Sequence, residues 1–499
     1  MSEASPSWVR YGQPAGRWVL LATVMGSGMA FIDMTVVNVA LQRIGTDLDA
    51  GASGLQWTVN GYILSLAALI LLGGSLGDRF GRKRMFLIGV IWFAVASVLC
   101  GIAPSVGLLV AARVLQGIGG ALLTPGSLAI LEASFDPKDR AKAIGAWSGL
   151  GGIAGAVGPF LGGWLIQVAS WRLVFLINAP LAVIVCLIAI KHVPESRDVN
   201  ASKRLDVAGV LTGALGLAGL TYGFTSWTDL GPADPLVWGS LVIGVASMVA
   251  FVVVEKRSKF PMLPMEIFRS RAFTAANLVT FAMYSALGGV LFLVVLNLQV
   301  VAGFGPMAAG TALLPLTVLA LLLSARAGAL AQRIGPRLQM TVGPLLAAGA
   351  LLLFRGIGPD ASYLGNVLPA VILLGLGLST TVAPLTATAL GSVEDRHAGV
   401  ASGVNNAVAR AASLLAVAVL PLAAGLGSGS LTNPVDLGPM YRTAMLIGAS
   451  ILVVGSVISL VGIPKKIVRP TASTVHCAVS GPPMVTTPAE PGPELASAR

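Results

Sequence analysis

The chain has 499 residues, of which 55% are hydrophobic and only 11% are charged. Its mean hydropathy of +0.85 excludes a soluble protein of two or three domains and indicates an integral membrane protein. The net charge of +11 suits a nucleic-acid-binding protein only where basic residues cluster on one folded polar face, and here they do not.

Apolar segments alternate with short polar loops along the chain. Residues 1–17 are polar and lack the features of a removable signal peptide, so we expect a cytoplasmic N-terminus followed by an uncleaved helix. About fourteen apolar segments follow, each long enough to cross about 30 Å of hydrocarbon. They lie near residues 18–41, 55–76, 85–103, 107–131, 143–167, 173–190, 207–225, 236–254, 272–298, 307–330, 338–356, 363–388, 398–424 and 441–463. The sequence therefore predicts an all-α integral membrane fold with fourteen transmembrane helices.

The basic residues predict the orientation of these helices. Of the 32 Lys and Arg, four are expected outside and three within spans, and the remaining 25 are cytoplasmic when both termini are cytoplasmic. The seven exceptions are Arg43, Arg172, Arg355 and Arg442 outside, and Arg113, Arg326 and Arg410 within spans. This asymmetry follows the positive-inside rule and explains the basic net charge without a nucleic-acid partner.

An internal repeat indicates two related halves. The stretch GSLGDRFGRK (74–83) aligns with GALAQRIGPR (328–337) at a constant offset, and each copy follows the second span of a six-span set. In the second copy, Gln332 stands where the first has Asp78. Two six-span halves around a central cavity are one way in which transporters are built.

The repeat predicts an arrangement of six, two and six helices. The three cysteines, Cys100, Cys186 and Cys477, are far apart and form no CxxC motif, so they indicate neither a disulfide framework nor a metal site. The tail is rich in Pro, Ser and Thr and is expected to be disordered. The predicted parts are a cytoplasmic N-terminus (1–17), an N-terminal half (18–190), cytoplasmic linkers with two inserted helices (191–271), a C-terminal half (272–463) and a cytoplasmic tail (464–499).

Asp33, within FIDMTVVNVA (31–40), is the only acid found deep in a predicted span. A charge near the bilayer centre costs roughly 2.5 to 3.5 kcal/mol on insertion scales, so an acid there indicates a function. Arg113 in the fourth span lies at a similar depth, and opposite charges that face each other lower the cost of burying either. We expect Asp33 and Arg113 to pair and to couple protons to transport. The alternative is a static ion pair that only fixes packing.

Other polar and aromatic residues within spans could line a central cavity, although ordinary packing could explain any one of them. Arg410 lies near mid-membrane without an identifiable acidic partner, and its role is open. The candidates for cavity lining are Asn60, Tyr62, Gln116, Asn277, Phe281 and Tyr284, of which the last three share one helical face.

The loop GSLGDRFGRKR resembles the loop motif of the major facilitator superfamily. The resemblance implies a gating loop whose acid and bases bridge the two halves on the cytoplasmic side and help to hold one of the alternating states. The stretch LVAARVLQGIGGA (109–121) is similar to the fourth-helix motif of the superfamily. The matching residues of the loop are Gly74, Asp78, Arg79, Gly81, Arg82 and Lys83.

The stretch GLGGIAGAVGPFLGGW (149–164) favours close helix packing, because small residues let another backbone approach and proline bends the helix. It also resembles the fifth-helix motif of proton-coupled antiporters of the superfamily, which implies export. The residues that carry this resemblance are Gly155, Gly158, Pro159, Gly162 and Gly163.

Four further stretches narrow the resemblance to the fourteen-helix drug:proton antiporter, or multidrug efflux, branch. They are DMTVVNVAL (33–41), WTVNGYIL (57–64), WRLVFLINAP (171–180) and GVASGVNNAVAR (399–410). The resemblance implies a monomer in the bacterial cytoplasmic membrane that exports amphiphilic drugs or antibiotics in exchange for protons. It implies no cofactor beyond protons as the coupling ion.

Several alternatives stay open. The chain has no GxxxxGK[ST] motif, so it cannot hold ATP in a Walker A loop, and neither a nucleophile with its base nor a metal cluster indicates an enzyme. The protein could instead export a single self-made metabolite or a lipid. Outside the transporter class, the alternative is a channel or a non-transporting membrane receptor. Some multidrug exporters of divalent cations carry a second acid in the tenth span, whereas residues 307–330 contain none. The resemblance therefore implies neutral, zwitterionic or monocationic substrates.

Overall fold

The computed structural model describes residues 8–197, 206–258, 261, 263–393, 398–426 and 431–465. These residues form a bundle of α-helices, and no strand occurs among them. The tail predicted to be disordered (464–499) lies outside the described residues, except for its first two.

Seven helices form the N-terminal part. They are α1 (Pro14–Asp47), α2 (Ala52–Phe80), α3 (Arg82–Ile102), α4 (Val106–Ser134), α5 (Pro137–Val168), α6 (Leu173–Leu176) and α7 (Asn178–His192). Two helices that pack against each other follow, namely α8 (Val207–Leu230) and α9 (Pro235–Arg257).

The C-terminal part begins after a short 3-10 helix, Met265–Arg269, and a π-helix, Tyr363–Val367, leads into α14. Its helices are α10 (Arg271–Val300), α11 (Pro306–Ala312), α12 (Leu314–Ile334), α13 (Pro336–Phe354), α14 (Leu368–Gly391), α15 (Ala398–Ala423) and α16 (Pro434–Gly462).

Twelve helical segments of the described chain are long and apolar enough to cross a membrane. The bent helix α2 makes a thirteenth when Ala52–Ile70 and Leu72–Phe80 are taken together, and the apolar part of α5, Ile153–Val168, is shorter. The all-helical membrane fold is therefore confirmed. Fourteen crossings and two cytoplasmic termini stay predictions.

The repeated loop has the same backbone conformation in both copies. Gly81 ends α2 with a φ of 110°, and Gly335 ends α12 with a φ of 87°. Side chains with a Cβ rarely adopt this left-handed region, so glycine permits the tight turn at both sites. The two glycines occupy equivalent positions in the aligned repeat.

Within each part, the helices pack closely through small residues. In the N-terminal part α2 and α3 pack against α4, and α1 packs against α5; in the C-terminal part α10 and α13 pack against α16. A Cβ added to Gly117 on α4 would clash with the backbone oxygen of Tyr62 on α2. Such close backbone approach is how helices associate where no water drives them together.

The two parts touch at the end of the bundle predicted to be extracellular. Gln299 on α10 donates a hydrogen bond to the backbone oxygen of Val39 on α1 at 3.1 Å. A Cβ on Gly163 of α5 would lie 2.6 Å from the Cα of Met307 on α11. Helix α15 also packs against α2, and α8 packs against both.

Candidate functional site

A buried ion pair between Asp33 and Arg113 forms the centre of the site. Both side chains are essentially inaccessible, and Nη1 of Arg113 donates to Oδ2 of Asp33 at 2.5 Å. Gln116 lies three residues after Arg113 on the same face of α4, and its Nε2 donates to Oδ1 of Asp33 at 2.8 Å. One helix therefore presents a cation and an amide to both oxygens of one carboxylate.

The guanidinium of Arg113 has several further partners. Its Nε donates to the backbone oxygen of Thr58 at 2.9 Å, and its Nη1 also donates to Oε1 of Gln116 at 2.7 Å. The ring of Tyr62 lies 4.5 Å from the guanidinium carbon, and the ring of Phe175 lies 5.7 Å from it. Aromatic faces attract cations, so Arg113 is held by a carboxylate, two carbonyl oxygens and two rings.

Two residues that the sequence did not single out complete the network. Gln116 donates from Nε2 to Oγ of Ser97 on α3 at 3.1 Å, and Asn178 on α7 donates from Nδ2 to the same oxygen at 3.0 Å. Asn178 lies within the quoted stretch WRLVFLINAP, which is the signal that could have identified it. Ser97 lies in an apolar helix outside any recognised motif, so nothing in the sequence identified it as part of the site.

The contacts of Asp33 with its neighbours depend on the charge of its carboxyl group. As a carboxylate, Asp33 accepts hydrogen bonds from Arg113 and Gln116. After protonation, one of its oxygens becomes a donor and the attraction to the guanidinium falls. The arrangement therefore suits a proton-dependent contact between α1 and α4.

On the N-terminal side, the residues predicted to line a cavity are buried. Gln116 belongs to the Asp33 cluster, and Tyr62 covers Arg113 with only 1% of its surface exposed. Asn60 is fully buried, and neither polar atom of its amide has a hydrogen-bond partner in the described part of the chain.

On the C-terminal side, Asn277, Phe281 and Tyr284 lie along α10. Asn405 of α15 donates to Oδ1 of Asn277 at 3.3 Å, and 43% of the surface of Phe281 is exposed. Arg410 is half-buried on α15, and its Nε is buried without a hydrogen-bond partner among the described residues.

The predicted gating loop contacts its own half of the molecule. Asp78 forms an ion pair with Arg82, with its Oδ1 at 2.8 Å from Nη2. Lys83 donates from Nζ to the backbone oxygen of Ile190 at 2.9 Å. No hydrogen bond or ion pair from this loop to the C-terminal half is found within the described residues, so the bridge that the resemblance implied is not seen among them.

Three other residues of the loop have distinct surroundings. Arg79 lies over the ring of Phe80, with its guanidinium carbon 5.0 Å from the centroid. A Cβ on Gly74 would lie 3.7 Å from Pro125, which is ordinary contact, whereas a Cβ on Gly81 would lie 2.8 Å from Oε1 of Glu195.

Glu195 is a loop partner that the sequence did not reveal. Its carboxylate accepts hydrogen bonds from the backbone nitrogens of Lys83 at 3.1 Å and Arg84 at 3.2 Å. These are among the first amides of α3, which have no hydrogen-bond acceptor within the helix. A negative charge there accepts their hydrogen bonds and interacts favourably with the helix dipole. The contact joins residues more than a hundred positions apart, so only the tertiary structure shows it.

The glycine-rich segment of α5 packs on both halves. Added Cβ atoms would clash with Thr35 of α1 at Gly158 and with Val36 at Gly162. The backbone oxygen of Pro159 occupies the space where Gly310 of α11 would carry a Cβ. The segment therefore fixes α1 on one side and α11 on the other.

Gly155 does not share this role, because no atom lies within 4 Å of the position of an added Cβ. The residue four positions before Gly158 is Ala154, and its Cβ would lie 3.5 Å from a Cβ on Gly28 of α1. The contact with α1 is thus continued by Ala154.

An apolar cavity of about 730 Å³ lies away from the Asp33 cluster, beside α11, α12 and α14. Its lining includes Phe304, Val318 and Ile372 and none of the predicted cavity-lining residues. In the described part of the chain, no three His, Cys, Asp or Glu side chains come together in a way that could hold a metal ion.

Comparison with known proteins shows a family. The sequence model of the Major Facilitator Superfamily matches residues 23–417. The chain is 36% identical to the puromycin resistance protein pur8 of Streptomyces alboniger over 412 residues, which are 82% of this chain and 81% of that protein. It is 35% identical to the tetracenomycin C resistance and export protein of Streptomyces glaucescens over 402 residues, which are 80% and 74% of the two chains.

A solved structure of a POT family transporter in complex with 5-aminolevulinic acid is similar, with a TM-score of 0.69. The match covers 91% of this chain and 97% of that one at 14% identity, so it shows the fold alone. The chain belongs to the Major Facilitator Superfamily and is a multi-pass protein of the cell membrane.

Proposed function

We propose that this superfamily member is a proton-coupled antiporter that exports amphiphilic drugs, antibiotics or related small molecules by alternating access. The observation that carries the proposal is the fully buried Asp33, held between Arg113 and Gln116. The resistance functions in the names of the two similar Streptomyces proteins support a drug or antibiotic as substrate.

In the proposed cycle, Asp33 takes a proton when the site faces outward and releases it when the site faces the cytoplasm. Protonation weakens its contact with Arg113, and deprotonation restores the ion pair as the substrate enters. Substrate and proton then bind to different conformations of the protein, and movement of the two halves exchanges a proton for a substrate molecule across the membrane.

The contacts between the halves fit a conformation that opens toward the cytoplasm. The bond from Gln299 to Val39 and the approach of Gly163 to Met307 close the predicted extracellular end. In the opposite conformation these contacts separate, and the loop around Asp78 reaches the C-terminal half. Its acid and bases then hold the outward-facing state.

The proposed partners are a small amphiphilic substrate, protons and the lipid bilayer. The protein acts as a monomer, with no nucleic acid, enzymatic reaction or cofactor beyond the coupling proton. A second candidate is the dedicated export of one metabolite, because the name of the relative from Streptomyces glaucescens includes both resistance to and export of one compound.

The test is uptake of tritiated puromycin into inside-out proteoliposomes under an imposed pH gradient. Asp33→Asn should abolish uptake driven by the gradient, because the amide cannot exchange a proton, and Asp78→Asn should slow it. Asp229→Asn, at an exposed position near the end of α8, is the matched control and should behave as the parent. Undiminished gradient-driven uptake by Asp33→Asn would refute the proposed coupling.

A further inference from the structure

Arg410 differs from the other two arginines within predicted spans. Arg113 is paired with Asp33, and Arg326 is exposed and donates to the backbone oxygen of Leu322 on its own helix. Arg410 forms no ion pair within the described chain. Since a guanidinium does not lose its proton in a protein, this charge persists without a counter-ion.

The position of Arg410 is at the junction of the two halves. It lies on α15, which packs against α10 of its own half and against α2 of the other half. Among the described residues its Nε is buried without a hydrogen-bond partner. Ser413, three residues further along α15, donates from Oγ to the backbone oxygen of Tyr284 on α10 at 3.2 Å. Arg410 nonetheless keeps some exposed surface.

Tyr62 connects this position to the proton site. Its ring covers the guanidinium of Arg113, and its hydroxyl is within electrostatic range of both Asp33 and Arg410. Asp33 and Arg113 neutralise each other, whereas the charge of Arg410 has no counter-ion among the described residues. A ligand placed there would lie beside the group that carries the coupling proton.

The neighbouring surface of α10 is apolar and aromatic. Phe281 precedes Tyr284 by three residues and therefore shares its face of the helix, and it is 43% exposed. That face points toward α15, because Gly288, one turn after Tyr284, abuts Ser413 of α15. An unpaired cation on α15 and an exposed ring on the neighbouring helix α10 suit a molecule with an anionic group on an apolar body.

We propose that Arg410 binds an anionic oxygen group, such as a carboxylate, of an amphiphilic substrate in the space between the halves, a proposal that rests on the exporter function above. The sequence alone favoured neutral, zwitterionic or monocationic substrates. Among these classes, the unpaired guanidinium adds a preference for molecules that also carry an acidic group, such as zwitterions, which should bind more tightly than neutral or monocationic molecules.

The test compares two fluorescent probes that differ in one group. Rhodamine B carries a free carboxylate, and its ethyl ester has the same ring system without that charge. Binding to the purified full chain in phosphatidylcholine nanodiscs is measured by fluorescence polarisation. The parent should bind the carboxylate probe at least about tenfold more tightly, as expected for a charge-assisted hydrogen bond.

Arg410→Gln should remove this preference, whereas Arg410→Lys should retain part of it because the charge remains. Arg326→Gln should leave the preference unchanged and is the matched control. Equal affinities of the parent for both probes, no saturable binding of the carboxylate probe, or an unchanged preference in Arg410→Gln would each overturn the proposal.

Two further arms separate the alternatives. Arg410 could instead hold only an inorganic anion. In that case millimolar chloride or phosphate will bind to the parent and not to Arg410→Gln, and the parent will show no preference between the two probes. That result overturns the proposal. Asp33→Asn should lose gradient-driven uptake and keep the probe preference. Normal proton coupling in Asp33→Asn would refute the antiport mechanism and leave the Arg410 result intact.

Discussion

Replacement of Arg113 by methionine leaves the carboxylate of Asp33 buried without its cation. The side chain keeps a similar length, but the hydrogen bonds to Asp33, Thr58 and Gln116 are lost. Removing one partner of a buried ion pair typically costs about 3 to 5 kcal/mol, because the remaining charge cannot regain its hydration. We therefore expect Arg113→Met to lower the free energy of unfolding by about that amount.

The same reasoning predicts that a second change restores stability. Asp33→Asn alone should also destabilise the protein, because it leaves Arg113 without a counter-ion. In the double variant both charges are absent, so its loss of stability should be well below the sum of the two single losses. Unfolding in mixed micelles titrated with a denaturing detergent measures all three variants against the parent.

The chain provides an exposed ion pair as a control. Arg43 and Asp47 lie four residues apart on α1 at 3.2 Å, with 64% and 37% of their side chains exposed. Exposed pairs are solvated and contribute roughly 0 to 1 kcal/mol, so Arg43→Gln should have little effect. Additive losses at Asp33 and Arg113, or equal losses at the buried and exposed pairs, would refute the reasoning.

Three further expectations concern packing and the polar network. Gly158→Ala should reduce the yield of folded protein because its methyl group clashes with Thr35, whereas Gly155→Ala should leave the yield unchanged, as measured by size-exclusion chromatography. Glu195→Ala should weaken the start of α3 by about 1 kcal/mol, and unchanged hydrogen exchange at the first amides of that helix would contradict this. Ser97→Ala removes the hydroxyl between two buried amides and should cost about 1 to 3 kcal/mol; an unaltered melting temperature would argue against the network.

Much of the fold follows from hydropathy and repetition. Long apolar runs predict helices because a backbone in lipid must satisfy its hydrogen bonds internally. The repeat aligned the two loops that end in Gly81 and Gly335 as equivalent turns, and both glycines have a positive φ. The meeting of Asp33 and Arg113 also followed from their depth, because charges within a span need a partner.

Other features of the site depend on which helices become neighbours. Gln116 matched a motif, yet its hydrogen bond to Asp33 depends on how α4 faces α1. Ser97 and Glu195 carry no local signal, since their partners lie on helices distant in sequence. Arg410 was visible as an intramembrane cation, but only the structure shows that its Nε is buried without a hydrogen-bond partner among the described residues.

The sequence by itself determined the membrane environment, the helical class, the repeated loop and the presence of one deep acid, because hydropathy and charge act locally along the chain. Among the described residues, the tertiary structure decided which atoms contact the carboxylate of Asp33, which half the gating loop contacts and that the Nε of Arg410 is buried without a hydrogen-bond partner. These outcomes depend on how each helix is rotated and how closely it approaches its neighbours. The rotation and the approach depend on small residues such as Gly117 and Gly158, whose neighbours are fixed only when the bundle assembles.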